Sequence, residues 1–440
     1  FLCIKGRYAG DFTDHPDRLL SPLVKVNGRF EEVSWAKALE TVAARFNEVR
    51  ARGGKFGVIG SNRTTNEENF YLQKLARTGL WTNNIDHHRT GDIVTLLDSL
   101  AGRPEALAAI GDLYGAKAIA IVAADLSQQH PLLAFQIRAN WRHHQANVYT
   151  VTRGPVRETK IAKRAVTAAL GNEVAALEAL RADLAAEPEL VIVFGDAVKG
   201  GAVRQLVAFG DSLGIPVKYI CLMDYANSRG AADMGLVPDL GPGYVPVARP
   251  GLSLREMLDA PDLDALWVIG ANPLERAKLA ARNAFIVVQD LFLTATAQAA
   301  DVVLPAASAY EKSGTVTNVA GEVQRLVRAI EKVGAKTDLE IFGLIAREMG
   351  LDLAQLGRWT PETVFQEIVS VVSGYDVPSA VLAAGGAART MPLNGPRTGM
   401  TSRPETIESA GDTLFTSGTL GRYSTALVTV TEGPGELYRG

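Results

Sequence analysis

Cysteine is the scarcest informative residue in this chain, since only Cys3 and Cys221 occur among 440 residues. Two thiols cannot build a disulfide framework, and such scarcity is typical of proteins in a reducing cytoplasm. Two thiols also cannot complete an iron–sulfur cluster, which normally takes about four thiolates. The sequence by itself therefore excludes both a disulfide scaffold and a self-contained cluster.

The sequence also lacks long apolar runs and any excess of positive charge. No stretch of about 18 apolar residues is present, so we expect no direct membrane span. The formal net charge is −3 and no basic patch is evident, so we expect no nucleic-acid partner. The chain starts at Phe1, with neither a methionine nor a signal-peptide pattern, and we expect it to be a piece of a longer polypeptide.

What is present is a well-packed composition, 47% hydrophobic, with strand and helix patterns in alternation. Several apolar runs have no polar alternation, which is typical of strands buried on both faces of a parallel sheet. Ser34 and Thr65 stand where helix N-caps are expected, and Thr65 has capping-box spacing to Glu68. The pattern predicts an α/β fold with mostly parallel sheets. The predicted strands are Phe56–Gly60, Ala118–Ala123, Val148–Val151, Leu190–Phe194, Val217–Leu222, Ala265–Gly270, Phe285–Gln289 and Val302–Leu304.

A series of short motifs runs through most of the chain in one order. It comprises Cys3-Ile4-Lys5-Gly6-Arg7, Asp17-Arg18-Leu19, Ser34-Trp35, Gly60-Ser61, Gly270-Ala271-Asn272-Pro273-Leu274, Val288-Gln289-Asp290, Ala300-Asp301-Val302-Val303-Leu304-Pro305, Glu311-Lys312 and Thr317-Asn318. A single one of these motifs would be weak evidence, but the ordered set is specific. It resembles the molybdopterin oxidoreductases, a superfamily that includes formate dehydrogenases and the large iron–sulfur subunit of respiratory complex I.

The resemblance implies cofactor contacts at both ends of the series. Cys3 would be the last of four ligands to a [4Fe–4S] cluster, with the other ligands upstream, and Lys5 would raise the potential of that cluster. Gly270 and Asn272 follow a buried strand, where a backbone turn can hold phosphate, and Asp290 could accept hydrogen bonds from a guanine or ribose edge. The alternatives remain open: Cys3 as a small residue under a turn, and the other three as parts of a vestigial pterin-dinucleotide site or as ordinary strand–helix turns.

The branch within the superfamily is indicated by a missing thiol. In the molybdenum enzymes a cysteine, selenocysteine or serine just after an Asn-Asn-x-Asp motif binds the metal, but here the segment Asn83–Asp92 contains no cysteine. Molybdenum requires a soft anionic donor, so we expect no molybdenum cofactor and assign no catalytic residue. The segment from Asp224 to Pro238, with Asn-Ser-x-Gly-Ala-x-Asp-Met-Gly, resembles the large iron–sulfur subunit of NADH-quinone oxidoreductase. We expect it to form a Gly-rich loop.

We therefore expect two doubly wound, mostly parallel α/β domains of the formate dehydrogenase-like type, one inserted in the other. Residues 1–22 would end an iron–sulfur domain, and residues 23–105 with 263–386 would form a discontinuous domain. Residues 106–262 would be the inserted domain. Residues 387–440 would be a linker and the start of a C-terminal β unit, with the β pattern at Thr413–Val430.

The expected function is that of a scaffold within complex I, which oxidises NADH and reduces quinone while translocating protons. The segment would support electron transfer without being catalytic itself, and its partners would be other peripheral-arm subunits. Its location would be cytoplasmic, peripheral to the inner (plasma) membrane. Two alternatives remain: the catalytic subunit of a molybdenum or tungsten bis-pterin enzyme such as formate dehydrogenase, and a guanine-dinucleotide-binding module without redox chemistry.

Overall fold

The computed structural model describes residues 2–331, 333–352, 359–390, 403–409, 413, 416 and 418–432. The predicted α/β class with mostly parallel sheets is confirmed. All eight predicted strands are present, with ends that shift by at most one residue. The strands are β1 Leu23–Val26, β2 Arg29–Glu32, β3 Phe56–Ile59, β4 Ile85–Asp86, β5 Ala118–Val122, β6 Asn147–Thr152, β7 Arg164–Thr167, β8 Leu190–Phe194, β9 Val217–Cys221, β10 Ala265–Ile269, β11 Phe285–Asp290, β12 Val302–Pro305, β13 Gly314–Thr317, β14 Glu322–Leu326 and β15 Ala387–Arg389.

Helices connect most of these strands and cover the two larger sheets. The α-helices are Ile4–Tyr8, Trp35–Ala51, Asn66–Lys74, Ile93–Ser99, Asp112–Gly115, Leu126–Gln129, Pro131–His144, Glu173–Ala176, Arg181–Ala185, Gly201–Asp211, Ser228–Asp233, Leu254–Asp259, Ala295–Ala299, Asp338–Glu348, Pro361–Val371, Ser379–Ala383, Gly418–Tyr423 and Thr425–Glu432. Shorter 3-10 turns are Ala9–Asp14, Pro104–Ala106, Arg157–Ile161, Leu177–Leu180, Pro242–Tyr244, Pro273–Glu275 and Pro404–Thr406, and Leu75–Gly79 is a π-helical turn. Within the described residues, no helix combines the length and apolar character needed to cross a bilayer.

The first sheet has seven strands in the order β2-β1-β12-β11-β10-β3-β4. Strands β12, β11, β10, β3 and β4 are parallel, whereas β1 is antiparallel to its two neighbours, β12 and the edge strand β2. From β3 the chain adds β4 on one side, and much later it adds β10, β11 and β12 on the other. The direction of winding therefore reverses between β3 and β10, which is where α/β sheets usually bind ligands.

The second sheet is fully parallel, with the order β7-β6-β5-β8-β9, and its strands lie between β4 and β10 in the sequence. A third, antiparallel sheet contains β13, β14 and β15. The chain thus leaves the first sheet, builds the second and returns. The domain boundaries given above stay a prediction.

Two predicted helix starts explain how the core around β3 and β10 is built. Ser34 accepts a hydrogen bond from the Lys37 amide at 3.2 Å, and Thr65 forms the predicted capping box with Glu68. The helix that begins after Ser34 buries one apolar face, and its Phe46 packs edge-on against Phe56 of β3 at a centroid distance of 5.5 Å. Local capping and apolar spacing therefore agree with the tertiary packing.

The C-terminal prediction was wrong in two places. Residues 387–389, expected to begin the linker, instead form the strand β15, because Ala387, Ala388 and Arg389 pair with β14. The expected β unit at Thr413–Val430 is instead helical at Gly418–Tyr423 and Thr425–Glu432. Its threonines and valines favour strands only weakly, and burial of Ser424 and Leu427 at helical spacing overrides that preference. Most of the predicted linker, residues 391–402, lies outside the described residues.

The segment after β9 is also not simply a loop. Residues Ser228–Asp233 form a helix in which every side chain is buried. Arg229 donates from Nε to Asp233 at 2.9 Å, and the hydroxyls of Tyr244 and Tyr375 donate to the same carboxylate. The buried guanidinium is thereby paired, as burial of a charge requires.

Candidate functional site: a cleft where the first sheet reverses its winding

A cleft lies at the carboxyl ends of β3 and β10, at the reversal point of the first sheet. It encloses about 1050 Å³ of empty space, including the part that opens to solvent. Loops that follow four adjacent strands contribute to it, together with the C-terminal segment. The lining residues are Asn62, Arg63, His88, Tyr225, Leu254, Arg255, Leu258, Gly270, Ala271, Asn272, Pro273, Glu275, Arg276, Ala277, Asp290, Thr294, Glu408, Ser409, Gly418, Thr419 and Arg422.

Gly270, one of the predicted cofactor-binding residues, lies where the loop after β10 meets the loop after β3. Its φ of +51° and a distance of 3.1 Å from an ideal Cβ position to Ser61 Oγ favour glycine. The Ser61 hydroxyl donates to the Gly270 carbonyl at 2.9 Å. The two loops are therefore fixed to each other, and the backbone forms one wall of the cleft.

Asn272 also lines the cleft, but its side chain is partly committed within the protein. Its Oδ1 accepts hydrogen bonds from the Thr296 amide at 3.0 Å and the Thr296 hydroxyl at 2.8 Å. Its Nδ2 donates to Glu275 at a longer 3.3 Å. The amide oxygen thus ties the loop after β10 to the helix after β11, and Nδ2 is the group with more freedom to meet a ligand.

Asp290, at the end of β11, is buried at the floor of the cleft. Burial raises the pKa of its carboxyl to about 6, although hydrogen bonds from the Leu291 amide and the Thr294 hydroxyl oppose that shift. The guanidinium of Arg63 also favours the ionised form. Near neutral pH this position therefore presents a carboxylate that can accept hydrogen bonds from a ligand.

The cleft contains four arginines that the sequence analysis did not single out: Arg63, Arg255, Arg276 and Arg422. The guanidinium of Arg63 lies 4.3 Å from the ring centre of Tyr225. Arg255 pairs with Glu408 at 3.3 Å, and Arg422 pairs with Glu275. The turn at Gly60-Ser61 was recognised in the sequence, so the position of Arg63 could have been found from the rule that the loops after adjacent parallel strands converge.

The loop after β4, where the molybdenum enzymes carry their metal ligand, is fixed by internal contacts. Asp86 pairs with Arg89 at 3.0 Å. His87 is buried with Nδ1 2.6 Å from the Leu236 carbonyl, and burial lowers its pKa to about 4. Asp92 caps the next helix and accepts a hydrogen bond from the Gly200 amide at 2.7 Å. Of this loop, only His88 faces the cleft.

The two cysteines and Lys5 lie outside the lining of the cleft. Cys3 is half-buried at the start of the helix Ile4–Tyr8, which also contains Lys5. Cys221 is buried in β9, and burial raises the pKa of its thiol. Among the residues that the structure describes, no three His, Cys, Asp or Glu side chains are grouped so that they could hold a metal ion. The structure therefore brings together Gly270, Asn272 and Asp290, but not Lys5 or Cys3.

The family model of the molybdopterin oxidoreductases matches residues 18–348, three quarters of the chain. The chain belongs to the molybdopterin oxidoreductase family. This match begins after Cys3 and covers the two larger sheets and most of the cleft. The part of the cleft outside it is lined by Glu408, Ser409, Gly418, Thr419 and Arg422.

Proteins similar in sequence to this chain include formate dehydrogenases and a subunit of NADH-quinone oxidoreductase. The chain is 29% identical to the F420-dependent formate dehydrogenase 1 subunit alpha of Methanococcus maripaludis, over 85% of this chain and 68% of that protein. It is 28% identical to the putative formate dehydrogenase YrhE of Bacillus subtilis, over 84% of this chain and 47% of that protein. It is also 28% identical to an NADH-quinone oxidoreductase subunit of Rhizobium meliloti, over 98% of this chain and 60% of that protein. The chain thus spans about half to two thirds of these relatives.

Solved structures support the fold of this family member. Acetylene hydratase from Pelobacter acetylenicus superposes with a TM-score of 0.62 at 14% identity, over 89% of this chain and 69% of that one. The formyltransferase/hydrolase complex from Methylorubrum extorquens gives a TM-score of 0.51 at 16% identity, over 75% of this chain and 98% of that one. At such identities the likeness concerns architecture alone.

Proposed function

We propose that this chain is the molybdopterin-oxidoreductase-like portion of the large iron–sulfur subunit of a complex I, an NADH-quinone oxidoreductase. In this role it is a scaffold that supports electron transfer from NADH to quinone and performs no molybdenum chemistry of its own. Its partners are other peripheral-arm subunits, and its location is the cytoplasmic face of the inner (plasma) membrane.

The observation that carries the proposal is the composition of the loop after β4 and of the cleft beside it. No thiol lines the cleft in the described part of the chain, and Cys221 is buried in β9 of the other parallel sheet. Asp86 and Asp92 fix the two ends of the loop, so contacts within the protein hold its conformation. Molybdenum in such a site requires a soft anionic donor, which these residues do not supply. A relative named as an NADH-quinone oxidoreductase subunit aligns over 98% of this chain, which supports a place in such a complex.

A [4Fe–4S] cluster would be held through Cys3, with Lys5 nearby. Cys3 immediately precedes the helix Ile4–Tyr8 and is partly exposed, so its thiol is accessible to a cluster. The other ligands would come from outside this sequence. When bound, the cluster supplies one-electron transfer, and a fixed positive charge from Lys5 raises its potential.

Metal analysis of the full-length parent protein tests the proposal. We expect iron in the purified protein, with neither molybdenum nor tungsten in stoichiometric amount. Cys3→Ala should lower the iron content and the visible absorbance, whereas Cys221→Ala, the matched control, should leave both unchanged. Stoichiometric molybdenum or tungsten, or equal iron in the two variants, would contradict the proposal.

The arginines of the cleft favour a second candidate, because four guanidiniums around Gly270 suit a phosphate-bearing ligand. One form of this candidate is the catalytic subunit of a molybdenum or tungsten bis-pterin enzyme such as formate dehydrogenase. The other is a module that binds a guanine dinucleotide without redox chemistry. Formate oxidation together with bound molybdenum would support the first. A rise in melting temperature with added guanine dinucleotide, lost in Asp290→Asn, would support the second.

A further inference from the structure

The helix Pro131–His144 exposes apolar side chains on the face opposite its core contacts. Leu133, Ala134 and Ile137 are buried against β5 and β6 of the second sheet, as expected of an amphipathic helix. Leu132 and Phe135, however, remain 43% and 45% exposed. Leu132, Phe135, Ala139 and Arg142 recur at three- and four-residue spacing, so they share one outward stripe. We call this stripe, together with Arg138 beside it, the outer face.

The arginines of the outer face have no anionic partner in the described part of the chain. Arg138 and Arg142 are one turn apart, and within the described residues neither has an ion pair or a side-chain hydrogen bond. By contrast, surface arginines such as Arg103, Arg164 and Arg181 each pair with a carboxylate. The surrounding sequence explains the difference, because residues 126–157 contain four arginines and no Asp or Glu in a chain with 48 acidic residues.

We propose that the outer face is a docking surface for an acidic, amphipathic segment of a partner protein. Exposed leucine and phenylalanine provide the apolar centre that protein interfaces require, and the two arginines provide a cationic rim. Unpaired guanidiniums favour carboxylates across an interface, which fixes the sign of the partner's charge. Two arginines are too few for a polybasic membrane or nucleic-acid surface, which uses a larger cationic cluster.

This inference does not depend on the proposed function, since the outer face is on the other parallel sheet and includes no residue of the cleft. A chain that proved to be a formate dehydrogenase subunit would still present the same surface. Metal content therefore tests the proposed function, and partner contact at the outer face tests this inference.

The experiment places a photo-cross-linking amino acid at Phe135 in the full-length protein, in its native cells, and maps the products by mass spectrometry. The control carries the same amino acid at Leu170, which is 66% exposed in a turn. We expect a product at position 135 to one partner, in a segment where Asp and Glu outnumber Lys and Arg. The double variant Arg138→Glu/Arg142→Glu should lower the yield about tenfold, whereas Arg249→Glu, elsewhere on the surface, should not change it.

Several results would overturn the proposal. One is a yield at position 135 no higher than at Leu170. Others are products with lipid, with nucleic acid, with a second copy of this chain or with a basic segment. A yield that is unchanged in the double arginine variant would also contradict the assigned charge of the partner. Circular dichroism of each variant checks that the exposed substitutions leave the fold intact.

Discussion

Replacement of Glu67 by glutamine should stabilise the protein at high pH and have little effect at low pH. Glu67 is fully buried at the start of the helix Asn66–Lys74, where it accepts hydrogen bonds from the Thr315 amide and hydroxyl, both at 2.8 Å. Burial raises its pKa from 4.5 to about 7 in spite of these bonds. The folded protein therefore holds this proton at a higher pH than the unfolded chain does. Stability must fall as pH rises from about 4.5 through about 7, and it levels off above that.

The size of this loss of stability follows from the difference between the folded and unfolded pKa values of Glu67, which corresponds to about 3 kcal/mol. Urea unfolding of the wild type and of Glu67→Gln at pH 5 and pH 8 measures it. We expect the variant to match the wild type within about 1 kcal/mol at pH 5 and to exceed it by up to about 3 kcal/mol at pH 8. Glu340→Gln, at a 45% exposed site paired with Lys336, is the control and should change little at either pH. An equal effect of Glu67→Gln at both pH values would refute the reasoning.

Three further substitutions test other parts of the structure. Lys312→Met should lower the free energy of unfolding by about 3–5 kcal/mol, because it leaves the buried carboxylates of Glu68 and Asp338 without their cation. Chemical denaturation measures this change, and an unchanged free energy would contradict the buried ion triad. Gly91→Ala should lower the melting temperature markedly, because its Cβ would lie 2.1 Å from the Leu222 carbonyl oxygen at a φ of +88°. Tyr423→Ala removes a ring that stacks on Phe292 at a centroid distance of 3.6 Å, so a protease should cleave the C-terminal helices faster than in the wild type. An unchanged cleavage rate would show that this ring contact does not hold the helices in place.

Short-range sequence patterns predicted the helices and strands that depend mainly on neighbouring residues. The eight buried strands and the helices capped by Ser34 and Thr65 follow from apolar periodicity and N-cap chemistry. The hairpin of β1 and β2 was missed, although Asn27-Gly28 is a strong two-residue turn signal. The C-terminal helices were missed because Thr- and Val-rich segments take the structure that their tertiary contacts favour.

The candidate site was predicted only in part. Gly270, Asn272 and Asp290 were named from motif order, and the structure places them on one cleft. The four arginines were missed because no motif gave them a ligand role, and the approach of Arg422 to the cleft depends on how the C-terminal segment packs. The buried ion triad around Lys312 was also not predictable, because its carboxylates lie 244 and 26 residues away in the sequence.

The buried carboxylate of Asp233 has an evolutionary consequence. It is bound by Arg229 and Tyr244 from one stretch of chain and by Tyr375 from a distant one, and Tyr375 also meets the Thr317 hydroxyl at 2.8 Å. A substitution at any one of these positions leaves a polar group of another stretch without its partner. Mutations at these positions are therefore acceptable mainly in combination, so these residues should change together among relatives.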